Sequence, residues 1–488
     1  MKSSARRWLR DTDMIFVLPA LLHLVVAAVL MLLFMLTSLT AVAKEISAVT
    51  YGAKGDGKTL NTFAIQKAID VAAKEGDTLT FPAGTYLTGA LFLKTGVTLR
   101  LDMGVTLLGS QNIQDYPVMP TRVAGIEMRW PAALINVYEQ SKVAITGEGV
   151  IDGDGKIFWE SYWNLRKAYE PRGLRWASDY DAGRPRLLQI YKASDVRVGD
   201  GLLLRRSGFW TLHICYSKKV VVDRVIIRNN EGGHGPSTDG IDIDSSKDIL
   251  IQQADIAVND DAIVLKAGRD SDGLRVNRPT EDVVIRDITV REAVAGLSFG
   301  SETSGGFRRI EAYRFTVMKG VPVGILFKSA HTRGGFGEDL NIHDFVMNDV
   351  PVVLRVIMNW NPQYSYTKIP DDVKDVPDYW KVLVTPVPEK DGISRLRRVN
   401  ISGIKARGAK TAFEIEGYAQ APLEDFNLSK LDIEASSGGF IRYVRRWKLS
   451  DSRLVFEDGK PVQISADSEV SGLTAGSAAN SKTSDTTK

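Results

Sequence analysis

From Thr78 onward, short apolar runs alternate with glycine or polar bends: Leu79-Thr80-Phe81, Leu91-Phe92-Leu93, Val97-Thr98-Leu99 and Val105-Thr106-Leu107. Alternation at period two in runs this short predicts β-strands with one buried face. Longer phrases of one kind then recur around Val225, Ile256, Ile288, Phe315 and Phe345, and again around Ile404 and Leu431. Their spacing is irregular, at about 30 residues. Such a period predicts coils of a solenoid, each burying its apolar side against its neighbours. The expected fold class is all-β, a right-handed parallel β-helix in one elongated domain over residues 44–467.

One stretch reads differently. Ile65, Ala68, Ile69 and Ala72 share one face of a helix expected from Thr62 to Lys74, with Asn61 as N-cap and Gly76 past its end. A single amphipathic helix ahead of the strands fits a cap over the open end of the solenoid, so residues 44–110 are assigned to the cap and first coils. No later segment shows a convincing helical period. Residues 157–186 and 359–388 interrupt the repeat with Trp159, Tyr162, Trp163, Trp176 and Tyr180, then Trp360, Tyr364, Tyr366, Tyr379 and Trp380. Insertions this long usually serve a function. Their aromatics suit either stacking on sugar rings or packing of the insertions onto the barrel.

The two ends stand apart. Arg6, Arg7 and Arg10 precede an apolar run from Met14 to Leu39, and Ala41-Val42-Ala43 offers a small-x-small cleavage site. Residues 1–43 are therefore expected to be a signal peptide or a retained membrane anchor, with the remainder exported, periplasmic or secreted. Residues 468–488, dominated by Ser, Ala, Thr and Gly, are expected to be a disordered tail.

Composition narrows the function classes. The 62 basic and 59 acidic residues give a formal charge of +3, which offers no footprint for a nucleic-acid partner. A lone cysteine, Cys215, rules out an internal disulfide and a cysteine-based zinc site. The expected state is a monomer, touching a membrane only through a retained leader.

The chemistry concentrates between Ser237 and Lys266, in STDGIDIDSSKDILIQQADIAVNDDAIVLK. Asp239 and the pair Asp260-Asp261 stand 21 residues apart (239 to 260), close to one coil. Stacked strands lie about 4.8 Å apart, so this offset sets Asp239 beside the pair on the next rung. Carboxylates so placed repel unless they share a proton, bind a cation or are well solvated. Asp242 and Asp244 alternate with Ile241 and Ile243 and are expected to face solvent or support a loop. Lys328 follows Gly300 by about one coil, His234 precedes Asp239 by five residues, and Glu302 sits in GSETSGG; all three are candidates to touch a ligand. Trp360 and Tyr364 join them from the second insertion.

At these residues the chain resembles glycoside hydrolase family 28, the polygalacturonase family of the pectinase-like β-helix superfamily. TYGAKGDGKTLNTFAIQKAID, GFWTLH, GPSTDGIDIDSS, NDDAIVLKAG and FGSETSGG carry the resemblance, in family order, over roughly residues 46–439. It implies hydrolysis of α-linked galacturonate polysaccharide with inversion and without a cofactor or metal, pectic polysaccharide or oligogalacturonide being the partner. It also implies Asp260 as general acid, Asp239 and Asp261 as the base that holds water, and Lys328 as a grip on a sugar carboxylate. Inverting carboxyl pairs usually stand roughly 6.5–9.5 Å apart.

Three positions depart from the family pattern. Ser237 replaces the asparagine before Thr238-Asp239-Gly240, Ala295 replaces a histidine, and Leu326 replaces the arginine two residues before Lys328. Lysine does not reproduce the planar fork of arginine, so a leaving-group sugar without a carboxylate, as in rhamnogalacturonan, becomes the attractive alternative to plain polygalacturonan. Two further readings are a Ca²⁺-dependent enzyme like the pectate lyases and a non-catalytic β-helix that binds polysaccharide.

Overall fold

The computed structural model describes residues 44–473, so the expectations for the leader and for most of the tail lie outside the described residues. Nearly all strands join one sheet system of parallel pairs, wound as the expected β-helix. Six strands of one face position the site: β1 (Leu212–Cys215), β2 (Ile241–Asp244), β3 (Ile263–Lys266), β4 (Ala295–Phe299), β5 (Val323–Lys328) and β6 (Val352–Ile357). They stack in that order, with Leu212, Ile241, Ile263, Leu297, Ile325 and Leu354 in register and pointing inward. Period two then turns His213, Asp242, Val264, Ser298, Leu326 and Arg355 outward as one ladder. Inside, Phe299 stacks on Phe327 at 4.5 Å and Phe315 on Phe345 at 4.4 Å. Each fully buried apolar side chain contributes roughly 1.5–3 kcal/mol, so the core scales with the number of coils.

A polar corner runs along the outside of the barrel. Glu281, Arg308, Glu338, Arg397, Glu424 and Arg445 occupy equivalent positions on successive coils, each followed by a residue of the same charge sign. The followers Asp282, Arg309, Asp339, Arg398, Asp425 and Arg446 all take the left-handed conformation that turns the strand. Arg309, Arg398 and Arg446 bond Asp282, Asp339 and Asp425 at 2.6, 2.7 and 2.7 Å.

The cap helix α1 (Thr62–Glu75) lies where expected, and Ile65, Ala68 and Ile69 join the main core. Asn61 precedes it but makes no capping bond. Its amide instead ties the entry loop, accepting from the Lys54 N–H at 2.7 Å and donating to the Lys54 and Thr59 carbonyls. Gly76 ends the helix in the left-handed conformation.

Both insertions are more ordered than a loop. The first carries a helix of 14 residues, α2 (Lys156–Tyr169), which the sequence period did not reveal because Phe158, Trp159 and Tyr162 supply a narrow aromatic stripe. Most of the aromatics pack the insertions down. Trp176, Tyr180, Trp380 and Leu383 form one cluster with Phe209, Trp210 and a hairpin of Val118–Val123 and Ile126–Pro131. The winding also outlasts the expected boundary at residue 468. Val470–Ser471 pairs with Trp447 and Lys448, because the exposed ladder above Trp447 takes one more strand. No helix among the described residues is long and apolar enough to cross a membrane.

Candidate active site

Gly240 makes the site by having no side chain. A Cβ there would lie 2.4 Å from the Ala262 carbonyl, so only glycine lets the two coils close. The Gly240 N–H donates to the Asp261 carbonyl at 2.9 Å and the Thr211 N–H to the Asp239 carbonyl at 2.9 Å. Asp239 and Asp261 therefore occupy adjacent rungs, with Asp260 beside them. Carboxylate oxygens of Asp239, Asp260 and Asp261 come within 4.8 Å of one another. This is shorter than the usual separation in an inverting pair.

The three carboxyls face a cavity of about 80 Å³, shared with Lys266, Lys328, Glu302, Trp210, Trp360 and Tyr364. The hairpin and first insertion complete its wall with Ala124, Arg175 and Asp179. The aspartates differ in surroundings. Asp261 accepts from Lys328 Nζ at 2.7 Å and from the Ser298 hydroxyl at 2.9 Å. Among the described residues Asp260 forms no salt bridge; burial first, and then the charges of Asp239 and Asp261, push it up to about 8 against the pull of Lys328. Asp239 is also pushed well up, by burial and by Asp242.

Lys266 is the hub on the other side. Its ammonium stands 3.5 Å from Asp239, 3.6 Å from Asp242 and 3.3 Å from Glu302, and 4.8 Å above the Trp210 ring. Lys266 and Trp210 were not singled out from the sequence, although both lie in the phrases NDDAIVLKAG and GFWTLH. Strand register could have found Lys266, which stands opposite Asp244 on the next rung.

Other expectations meet mixed outcomes. Lys328 does reach the aspartates, and its ammonium lies 4.8 Å over the Trp360 ring. Glu302 and Tyr364 approach each other at 3.4 Å in the cavity wall. His234 does not line the cavity; it is exposed, stacks on Trp163 at 5.6 Å and contacts Asn259 at 3.1 Å. Asp242 and Asp244 are not solvent-facing but fully buried, Asp242 against Lys266 and Asp244 against His213 and the hairpin's Arg122. Arg122 pairs with Asp244 at 3.0 Å and, against the effect of burial, helps hold its carboxyl down at about 2. Ala295 and Leu326 lie in a small apolar cluster with Val323 and Val352.

Residues 73–371 match the profile of glycosyl hydrolases family 28. The chain belongs to that family. A probable polygalacturonase of Vitis vinifera is 31% identical over 316 residues, covering 62% of this chain and 61% of that protein. An exo-poly-alpha-D-galacturonosidase of Dickeya chrysanthemi is 29% identical over 374 residues, covering 68% of this chain and 61% of that protein. The chain thus spans about three fifths of the length of these curated relatives. Among solved structures, a hyperthermoactive exopolygalacturonase from Thermotoga maritima superposes with a TM-score of 0.71 at 26% identity, over 84% of this chain and 92% of that one. The three gathered aspartates lie within the matched residues.

Proposed function

We propose that the chain is an exported, metal-independent glycoside hydrolase that removes galacturonate from the ends of pectic chains. The observation that carries this reading is the triad of carboxyls from adjacent coils, each in a different environment. Glycoside hydrolysis needs a protonated carboxyl at the leaving oxygen and an ionised one to activate water. Asp260, in no salt bridge among the described residues, is suited to donate its proton to the glycosidic oxygen. Asp261, fixed between Lys328 and Ser298, is suited to accept a proton from water held between it and Asp239. Inversion rests on the family resemblance and not on the carboxyl separation, which is shorter than in most inverting enzymes.

Attack from the chain end fits a cavity of only about 80 Å³, lined by Ala124, Arg175 and Asp179 as well as by the triad. The names of the Dickeya and Thermotoga relatives point the same way. A second reading concerns the leaving sugar. Ala295 and Leu326 put apolar carbon where the family pattern has an imidazole and a guanidinium, which favours a leaving-group sugar without a carboxylate.

Incubation with polygalacturonan, rhamnogalacturonan backbone and oligosaccharides of each, with products sized over time, tests both readings. Monosaccharide from the first time point is expected. A ladder of short oligomers at the start would replace end attack with internal cleavage, and glycan retention without new reducing ends would remove the hydrolase reading. Proton NMR of the first product reports its anomeric configuration.

A further inference from the structure

Asp242 is the buried group that the proposed chemistry leaves unexplained. It stands on the outward ladder of β2, with His213 and Val264 as its neighbours in register. It is fully buried, and neither carboxyl oxygen receives a hydrogen bond from any N–H or O–H among the described residues. An ionised carboxylate buried without donors carries a penalty far above that of a neutral carboxyl. Yet Asp242 is not isolated, since a hydrogen bond between its carboxyl and that of Asp239 acts against the larger effect of burial. Both share Lys266, whose ammonium lies 3.6 Å from Asp242 and 3.5 Å from Asp239.

The charged surroundings do not rescue an ionised Asp242. Lys266 is divided among three carboxyls, with Glu302 at 3.3 Å the nearest. Arg186 acts on Asp242 through space, while Asp261 adds a further negative charge. His213 is buried, and burial followed by Arg186 pushes its imidazole down to about 4, so it brings no charge at neutral pH. Two adjacent acids with one shared cation are satisfied when one carries a proton and donates it to the other.

We propose that Asp242 is a positioning residue: the Asp239–Asp242 pair shares one proton in a hydrogen bond between the two carboxyls. The inference rests on the reading of Asp239 as part of the base. The shared proton fixes the Asp239 carboxyl and leaves its outer oxygen to hold water. It also explains why Lys266 sits between the pair and Glu302 without contacting Asp260 or Asp261 in a salt bridge.

Two variants of the full chain test this. Asparagine at 242 keeps an N–H donor toward Asp239, whereas alanine removes it. Asp242→Asn is expected to keep kcat within about threefold, and Asp242→Ala to lose roughly tenfold to a hundredfold in kcat with KM little changed. Difference infrared spectra at pH 6, wild type minus Asp242→Asn, are expected to show one protonated-carboxyl C=O band lost in the variant. Equal loss of kcat in both variants would overturn the proposal, as would an unchanged protonated-carboxyl band. The infrared readout needs no turnover and survives even if Asp242→Ala does not fold. If the hydrolase reading itself is wrong, the wild-type chain releases no sugar, a result distinguishable from either outcome.

Discussion

Lys328 Nζ stands 2.7 Å from one oxygen of Asp261, while the Ser298 hydroxyl bonds the other at 2.9 Å. Asp261 lies two residues before β3, Ser298 on β4 and Lys328 at the end of β5, so three successive coils fix one carboxylate. Replacing Lys328 by methionine keeps the bulk and removes the charge. We expect kcat to fall roughly 10²-fold, by analogy with loss of one preorganised charge partner in a dry site. Lys328 also lowers the pKa of Asp260, so the alkaline limb of the rate profile is expected to move to higher pH in this variant. A pH–rate series on purified protein checks both.

Asp260 sets a second expectation. Burial and its acidic neighbours raise it to about 8 in the fold, against 3.8 for a free aspartate. Activity that depends on its proton is expected to decline as pH rises through about 8. The folded chain keeps a proton that the unfolded chain has released, so this group lowers stability progressively as pH rises from about 4 toward 8. Asp260→Asn escapes that loss. It is expected to be inactive, still to retain glycan, and to melt at a higher temperature than wild type by a margin larger at pH 8 than at pH 4. Unchanged turnover in Asp260→Asn would remove the assignment of the acid.

The insertions supply a test of end attack. Asp181 accepts hydrogen bonds from Tyr169 at 2.9 Å, Tyr379 at 2.7 Å and Trp380 at 2.9 Å, joining the first insertion to the second. Asp181→Ala leaves three partly buried donors without their acceptor, a cost of about 1–3 kcal/mol. The expected result is a raised KM and a product mixture that gains oligosaccharides at the expense of monosaccharide, read by chromatography. The barrel strands make no use of Asp181, so the main thermal transition should move little.

Metal independence is the fourth expectation. Lys266 and Lys328 already stand against Asp239, Asp242, Glu302 and Asp261. Turnover is therefore expected to be unchanged by a chelator and by added Ca²⁺. Loss on chelation with recovery on Ca²⁺, together with an unsaturated product, would point to lyase chemistry instead.

The winding was legible in the sequence because each coil repeats the same short alternation, and because Gly240 and the spacing from Asp239 to Asp260 encode the stacking of coils. The choice of the triad and of Lys328 came from coil spacing together with the family resemblance. The fate of Asp242 and Asp244 did not. Alternation correctly turned both outward, but outward here means against the hairpin's Arg122 for Asp244 and against Lys266 for Asp242, and coverage by a distant segment leaves no trace in local period. His234 illustrates the opposite error: nearness in sequence to Asp239 does not carry it across the loop into the cavity. The aromatics of the insertions gave no means of choosing between packing and sugar stacking; the joint cluster with Phe209 and Trp210 decides for packing in Trp176, Tyr180 and Trp380, and burial on α2 does so for Trp159 and Tyr162.

The sign reversal along the outer corner, from Glu281 through Arg308 to Arg445, restricts how this barrel can change length. Duplicating one coil in that region would set arginine against arginine or acid against acid at the new junction. Duplicating two would keep every rung opposite its complement. Growth or shrinkage of the barrel there is favoured in even steps.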